Sequence, residues 1–256
     1  MSAKTKEKKV SEETAEKNEV TEAFGSELTT ANDNLPILGE VIGDFDNDDL
    51  SFDKLQIAQS VGPLADNFKK GDIVLGGELK IGGFDQAPLE ITVMRLVKTF
   101  EENLPYGGEE MPRIAQTKEE VYAMDGTLKW TTDEEGNKIP PTFKPVAEAF
   151  VCIEAPENVD DLQWFPYRFR DILEDGTEVT SNYSFASWKI KNTAYYRAVD
   201  PINSAAKSYM RNGLMYGSFR LGTEKQVFGV NTVAVPKVSR GIPHKMPFVQ
   251  WLAEFI

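Results

Sequence analysis

The chain has 256 residues, 41% of them hydrophobic and 27% charged, and a net charge of −13. That length suits one large domain or two small ones, with enough apolar content for a sizeable core. The single cysteine, Cys152, excludes an internal disulfide, and no apolar run reaches the length of a membrane span or a signal-peptide core, so a cytoplasmic protein is expected.

Residues 1–50 carry a net −8 with sparse, unperiodic apolar residues. Such a segment buries too little surface to offset its ordering entropy, so a disordered acidic tail is expected there. Its Asp44–Asp49 run is not a calcium loop. An EF-hand needs Gly and Glu where this chain has Asp49 and Leu55. A single domain over 51–256 is expected to follow.

Ser51 to Gln59, with Phe52, Leu55, Ile57 and Ala58, predicts a short helix capped by Ser51. Gly71 to Leu75 reads as a strand followed by a Gly76-Gly77 turn. Leu89 to Phe100 alternates and then changes phase near Met94, which predicts a long strand with a bulge. Residues 101–113 and 131–145 are rich in charge and proline and read as loop insertions. Between them, Thr117 and Glu120 have capping-box spacing ahead of a short helix closed by Gly126. Val146–Glu154 and Leu162–Ile172 read as strands, and Glu174–Thr177 as a turn.

Asp200-Pro201 predicts a helix start, since Asp caps well and Pro loses no needed donor at the first position. Ile202, Ala205, Ala206, Tyr209 and Met210 then fall on one apolar stripe, with Gly213 just past the end. Met215–Leu221 and Gln226–Val235 read as a hairpin turning at Gly222–Lys225. Pro236 confines the second strand to an edge or an end. Pro247–Ile256 predicts a closing amphipathic helix.

The usual catalytic constellations are missing. Cys152 sits mid-strand in an apolar context and reads as a buried small hydrophobe, while His244, between Pro243 and Lys245, reads as a loop residue. One His and one Cys do not make a usual zinc site, and neither glycine-rich phosphate loop occurs. No enzyme activity, cofactor or metal is expected.

Charge is distributed unevenly. Residues 51–180 sum to −12, whereas 181–256 sum to +7 with aromatics interleaved among the cations. A cationic groove with flat side chains is what a single nucleic-acid strand needs. Trp188, Tyr196, Tyr216 and Phe219 are the expected stacking rings. Lys189, Arg197, Lys207, Arg211, Arg220, Lys225 and Lys237 are the expected phosphate contacts. Tyr209 reads as core.

Residues 188–236 also carry a pattern: a tryptophan before a T-A-Y helix, P-I-N-S, a Gly-closed helix, F-R-L-G-T, and a strand ending V-A-V-P. In this the chain resembles single-stranded DNA-binding proteins from the replication and recombination modules of tailed bacteriophages. The resemblance implies a small oligonucleotide/oligosaccharide-binding (OB) barrel with one groove-lining face. Single-strand binders of phages and bacteria often carry an acidic tail at the C-terminus; here the acid is N-terminal and the C-terminus is apolar. The expected fold is therefore α+β, a curved antiparallel OB-like sheet with a few short helices. The expected function is non-enzymatic, largely sequence-independent binding of a single nucleic-acid strand, DNA ahead of RNA, with homo-oligomers or a protein partner for the tail as further expectations. A virion or assembly component with an acidic partner is the alternative, and a metal-dependent nuclease the third reading.

Overall fold

The computed structural model describes residues 52–105, 110–173 and 175–255. The acidic tail expected over 1–50 lies outside the described residues. The chain is α+β, built on a mostly antiparallel sheet. Its strands are β1 (Asp53–Ile57), β2 (Ile73–Leu75), β3 (Leu79–Gly82), β4 (Leu89–Glu102), β5 (Ile114–Ala115), β6 (Thr131–Thr132), β7 (Lys138–Ile139), β8 (Phe143–Glu154), β9 (Tyr167–Ile172), β10 (Glu178–Lys191), β11 (Gly217–Phe228) and β12 (Asn231–Pro243). Its helices are α1 (Lys118–Ala123), α2 (Thr193–Ser208) and α3 (Met246–Ala253).

The main sheet runs β12-β11-β4-β8-β10-β1-β2-β3, with β5 added to β4 and β9 to β10; β6 and β7 form a separate small hairpin. Every pair is antiparallel except β1 with β10. No strand ladder closes this path among the described residues. The β1–β2 connection nonetheless reaches the β11–β12 ribbon. Gln59 pairs with the main chain of Ala234, donating to its carbonyl at 2.8 Å and accepting from its amide at 3.1 Å. The Thr223 hydroxyl donates to the Gly71 carbonyl at 2.8 Å, and the Lys70 ammonium to the Thr232 carbonyl. Side chains, not a ladder, bring the β1–β2 connection against this ribbon.

Alternation gives the sheet two apolar faces. On one, Ala147, Ala149, Val151 and Ile153 of β8 and Ala186, Trp188 and Ile190 of β10 pack with Tyr195, Ala198, Val199, Ile202 and Ala205 of α2. On the other, Cys152 of β8 and Tyr183 and Phe185 of β10 pack with Phe248, Trp251 and Leu252 of α3. A third cluster at the far end of β4 and β8 joins Phe100 and Phe143 to Val121 of α1. The phase change in β4 is a bulge, since the register with β8 slips between Val93 and Arg95. Val93 lies in the first cluster and its neighbour Met94 in the second, so the bulge lets one strand feed both cores.

Thr117 caps α1 as its spacing predicts, accepting from the Glu120 amide at 3.2 Å. The returning carboxylate takes the Gln116 amide at 2.7 Å rather than that of Thr117. Pro236 lies within β12, and β12 is indeed the sheet's edge strand.

Five expectations are corrected. The strand expected over Leu162–Ile172 begins only at Tyr167, because Leu162–Trp164 is a 3-10 turn capped by Asp161. Residues 53–57 form a strand, not a helix: Leu55 turns inward while Lys54 and Gln56 stay outside, and pairing with β10 and β2 outweighs the helical spacing. Helix α2 begins at Thr193, with Pro201 inside it. The buried positions Tyr195, Ala198 and Val199 continue the stripe upstream of the proline, and that burial outweighs the amide donor Pro lacks. The hairpin turns at Gly229-Val230, where Gly229 has φ of 58°, so Gly222–Lys225 lies mid-strand. The insertion over 131–145 holds the β6–β7 hairpin and the start of β8.

Candidate functional site

The eleven residues expected to bind nucleic acid separate into three environments. Trp188 and Phe219 are core residues, 3% and 0% exposed, so their faces are spent on packing and they offer no platform for a base. Lys189 and Lys191, two apart on β10, both bond Glu101, at 2.6 and 3.1 Å. Burial opposes the charge on Glu101, but hydrogen bonds from both lysines outweigh it and hold the carboxyl below its ordinary range. Arg220 bonds Glu90 at 2.8 Å, Arg197 lies 3.7 Å from Glu224, and the Lys225 ammonium lies 5.1 Å from the Phe84 ring centre.

Of what remains, Lys207, Arg211 and Tyr216 lie at or just past the end of α2. Lys207 and Arg211 are exposed, with no carboxylate bonded to either among the described residues. Tyr209, between them, is 64% exposed. That corrects its assignment to the core stripe, because α2 ends at Ser208 and the ring swings off the apolar face. The Arg240 guanidinium of β12 lies 3.9 Å from the Tyr209 ring centre, a close cation–π contact that ties helix end to strand. Tyr196, one turn into the same helix, is also exposed, while Tyr216 is half-buried. Lys237 is exposed on β12.

Sequence reasoning missed the Tyr209–Arg240 pair, but a signal was present. Residues 201–253 hold one acid, Glu224, against seven cations. No other stretch of comparable length is so free of carboxylates.

A second feature lies on the sheet face that carries α3. A cleft of about 240 Å³ opens between β4, β8, the β9–β10 arm and residues 242–245. In it the Glu90 carboxylate accepts from the Ser218 hydroxyl at 2.6 Å and from Arg220. Asp171 bonds Lys245 at 2.9 Å. His244 Nε2 lies 2.7 Å from the Thr92 hydroxyl, and its ring meets Phe248 edge-on. Gly241 is required beside this junction, because a Cβ there would run into the Ser218 hydroxyl and come within 2.7 Å of Glu90. Cys152 also lines the cleft, but burial pushes its thiol well above the ordinary value, and a thiol kept protonated is a poor nucleophile.

Burial depresses His244 to about 4, against a smaller upward pull from Glu90. The imidazole is therefore neutral in the folded chain at neutral pH. Between pH 6.5 and about 4 the unfolded chain binds a proton that the folded chain refuses, so stability falls as pH drops through that window. The expected cost at pH 4 is about 3 kcal/mol from this group. Urea melts of the protein and of His244→Gln check it. The variant should lose less stability than the parent between pH 7 and 4, and parallel losses would contradict the assignment.

Comparison with family models, curated proteins and solved structures finds no match to this chain. Among the described residues no helix is long and apolar enough to cross a membrane, and no group of three or more acidic, His or Cys side chains is placed to hold a metal ion.

Proposed function

We propose that the protein binds single-stranded nucleic acid, DNA in the first instance, without strong sequence preference, and that the strand lies across the end of α2 and β12. One observation carries the reading: an exposed ring, Tyr209, backed at 3.9 Å by Arg240, with exposed Lys207 and Arg211 two residues to either side in sequence. A base stacks on the free face of such a ring, and the guanidinium behind it serves both the ring and a neighbouring phosphate. The acid-poor stretch around these residues limits local competition for the phosphates. An OB-like character of the curved sheet and a role in phage replication or recombination belong to the same proposal.

The interface is smaller than the sequence suggests. Trp188 and Phe219 are withdrawn from it, and Lys189 is set aside because it is held, with Lys191, on Glu101. Tyr196, Arg197 and Lys237 are secondary contacts for a longer strand.

Fluorescence anisotropy with a labelled oligothymidylate tests the proposal. Each phosphate neutralised on a single strand contributes about −0.7 to the slope of log affinity against log salt. Lys207, Arg211 and Arg240 together give an expected slope of about −2. A slope near zero, or no binding at 20 mM salt, would contradict it.

A further inference from the structure

The strand register assembles the α3-side cleft from five adjacent strands. Thr92 sits opposite Cys152, Glu154 opposite Tyr183, Tyr183 opposite Tyr167, and Ser181 opposite Phe169. Residues paired across antiparallel strands share a face, so these side chains stand together on the side that carries α3. This surface is distinct from the Tyr209–Arg240 surface, and its chemistry has the opposite sign.

Its charges nearly cancel, with one left over. Glu90 is matched by Arg220 and Asp171 by Lys245. His244 is neutral. Glu154, only partly exposed, has no cation and no hydrogen-bond donor bonded to it among the described residues. It stands beside Tyr183, whose hydroxyl is held well above its ordinary value first by burial and then by the Glu154 charge. A carboxylate in a largely apolar cleft gains most from a cation brought in from outside.

Tyr183 and Phe169 both pack against Phe248, with ring centres 5.2 and 4.9 Å apart. Tyr183 and Phe248 are themselves buried and only Phe169 is partly exposed, so the guanidinium is selected mainly by the carboxylate, whose two oxygens it can bond at once. At about 240 Å³ the cleft takes one side chain, and Glu90 and Glu154 also border a neighbouring cleft of about 610 Å³. Exposed apolar side chains stand at the mouth: Ile242 59%, Val179 42% and Leu173 39%. An apolar rim around an anionic hole is the anatomy of a protein–protein hot spot, in which surrounding contacts exclude water from one charged anchor.

We propose that this cleft is a docking pocket for a single arginine side chain presented by a partner polypeptide. Glu154 receives the guanidinium, the partly exposed Phe169 flanks its stem, and Leu173, Val179 and Ile242 cover the residues on either side of it. Glu90, already bonded to Ser218 and Arg220, does not bind the incoming guanidinium.

The test is a two-dimensional amide NMR titration of the full chain with the peptide acetyl-Leu-Arg-Leu-amide. Its partner probe is the same peptide with citrulline, which keeps the shape and removes the charge. Saturable shifts at Thr92, Glu154, Ser181 and His244 are expected with the arginine peptide, and at least tenfold weaker binding with citrulline. Glu154→Gln should weaken the arginine peptide at least tenfold, with a thermal melt within a few degrees of the parent. The paired rim variant Leu173→Ser/Val179→Ser should weaken the peptide but not N-acetylarginine amide. Equal binding of the two peptides, no saturation by either, or an unchanged affinity in Glu154→Gln overturns the proposal. Equal affinity for N-acetylarginine amide and the peptide overturns the polypeptide partner and leaves a pocket for a small cation.

Discussion

Trp188→Ala is expected to cost about 3–5 kcal/mol of stability. Trp188 is 3% exposed and lies in the same cluster as Tyr195, Val199 and Ile202 of α2. Truncation removes the transfer free energy of the ring and leaves a cavity that strands on both sides of β10 prevent from collapsing. Urea melts at neutral pH measure the loss. Should the alanine variant fail to fold, Trp188→Phe keeps a ring in the site and is expected to cost about 1–3 kcal/mol. Oligonucleotide affinity of the folded phenylalanine variant should stay within about twofold of the parent. Stability unchanged with affinity lost would return Trp188 to the interface.

The second large effect is on binding. Tyr209→Ala removes the one ring near the cluster that is both exposed and backed by a cation. Loss of a stacked base is worth about 1–3 kcal/mol, an expected weakening of about 5- to 150-fold. Reversing Lys207, Arg211 and Arg240 to Glu together removes three phosphate contacts and adds three repulsions. More than about a hundredfold loss at 50 mM salt is expected, alike for every sequence, since phosphates carry no sequence information. Tyr209→Ala should leave the salt slope unchanged, whereas the triple reversal should flatten it. Because all four residues are exposed or at the surface, melts of these variants should stay within about 1 kcal/mol of the parent. Affinity unchanged in both variants would remove this surface from the interface.

The sequence disclosed the features that are local. The phase change at Met94 marked a real bulge, Thr117 marked a real cap, and Pro236 marked an edge strand. It misled where distant residues decide. Asp200-Pro201 carries a strong local start signal, yet Tyr195, Ala198 and Val199 gain more by packing in helical form upstream of it. Lys189 and Lys191 look free until β8 and β4 bring Glu101 across to them. Trp188 and Phe219 sit among cations in sequence, but strand alternation turns the rings inward. The α3-side cleft was invisible because its lining comes from five strands and the 242–245 segment, and no stretch of the chain holds more than a few of its residues.

The most direct measurement is photocrosslinking of the full chain to an oligothymidylate in which single bases are replaced by 5-iododeoxyuridine, followed by identification of the crosslinked peptide. Adducts concentrated on Tyr209, with a second and weaker set at Tyr196, are the predicted result. Adducts confined to other segments, or none under conditions where anisotropy reports binding, would contradict a strand path over the end of α2.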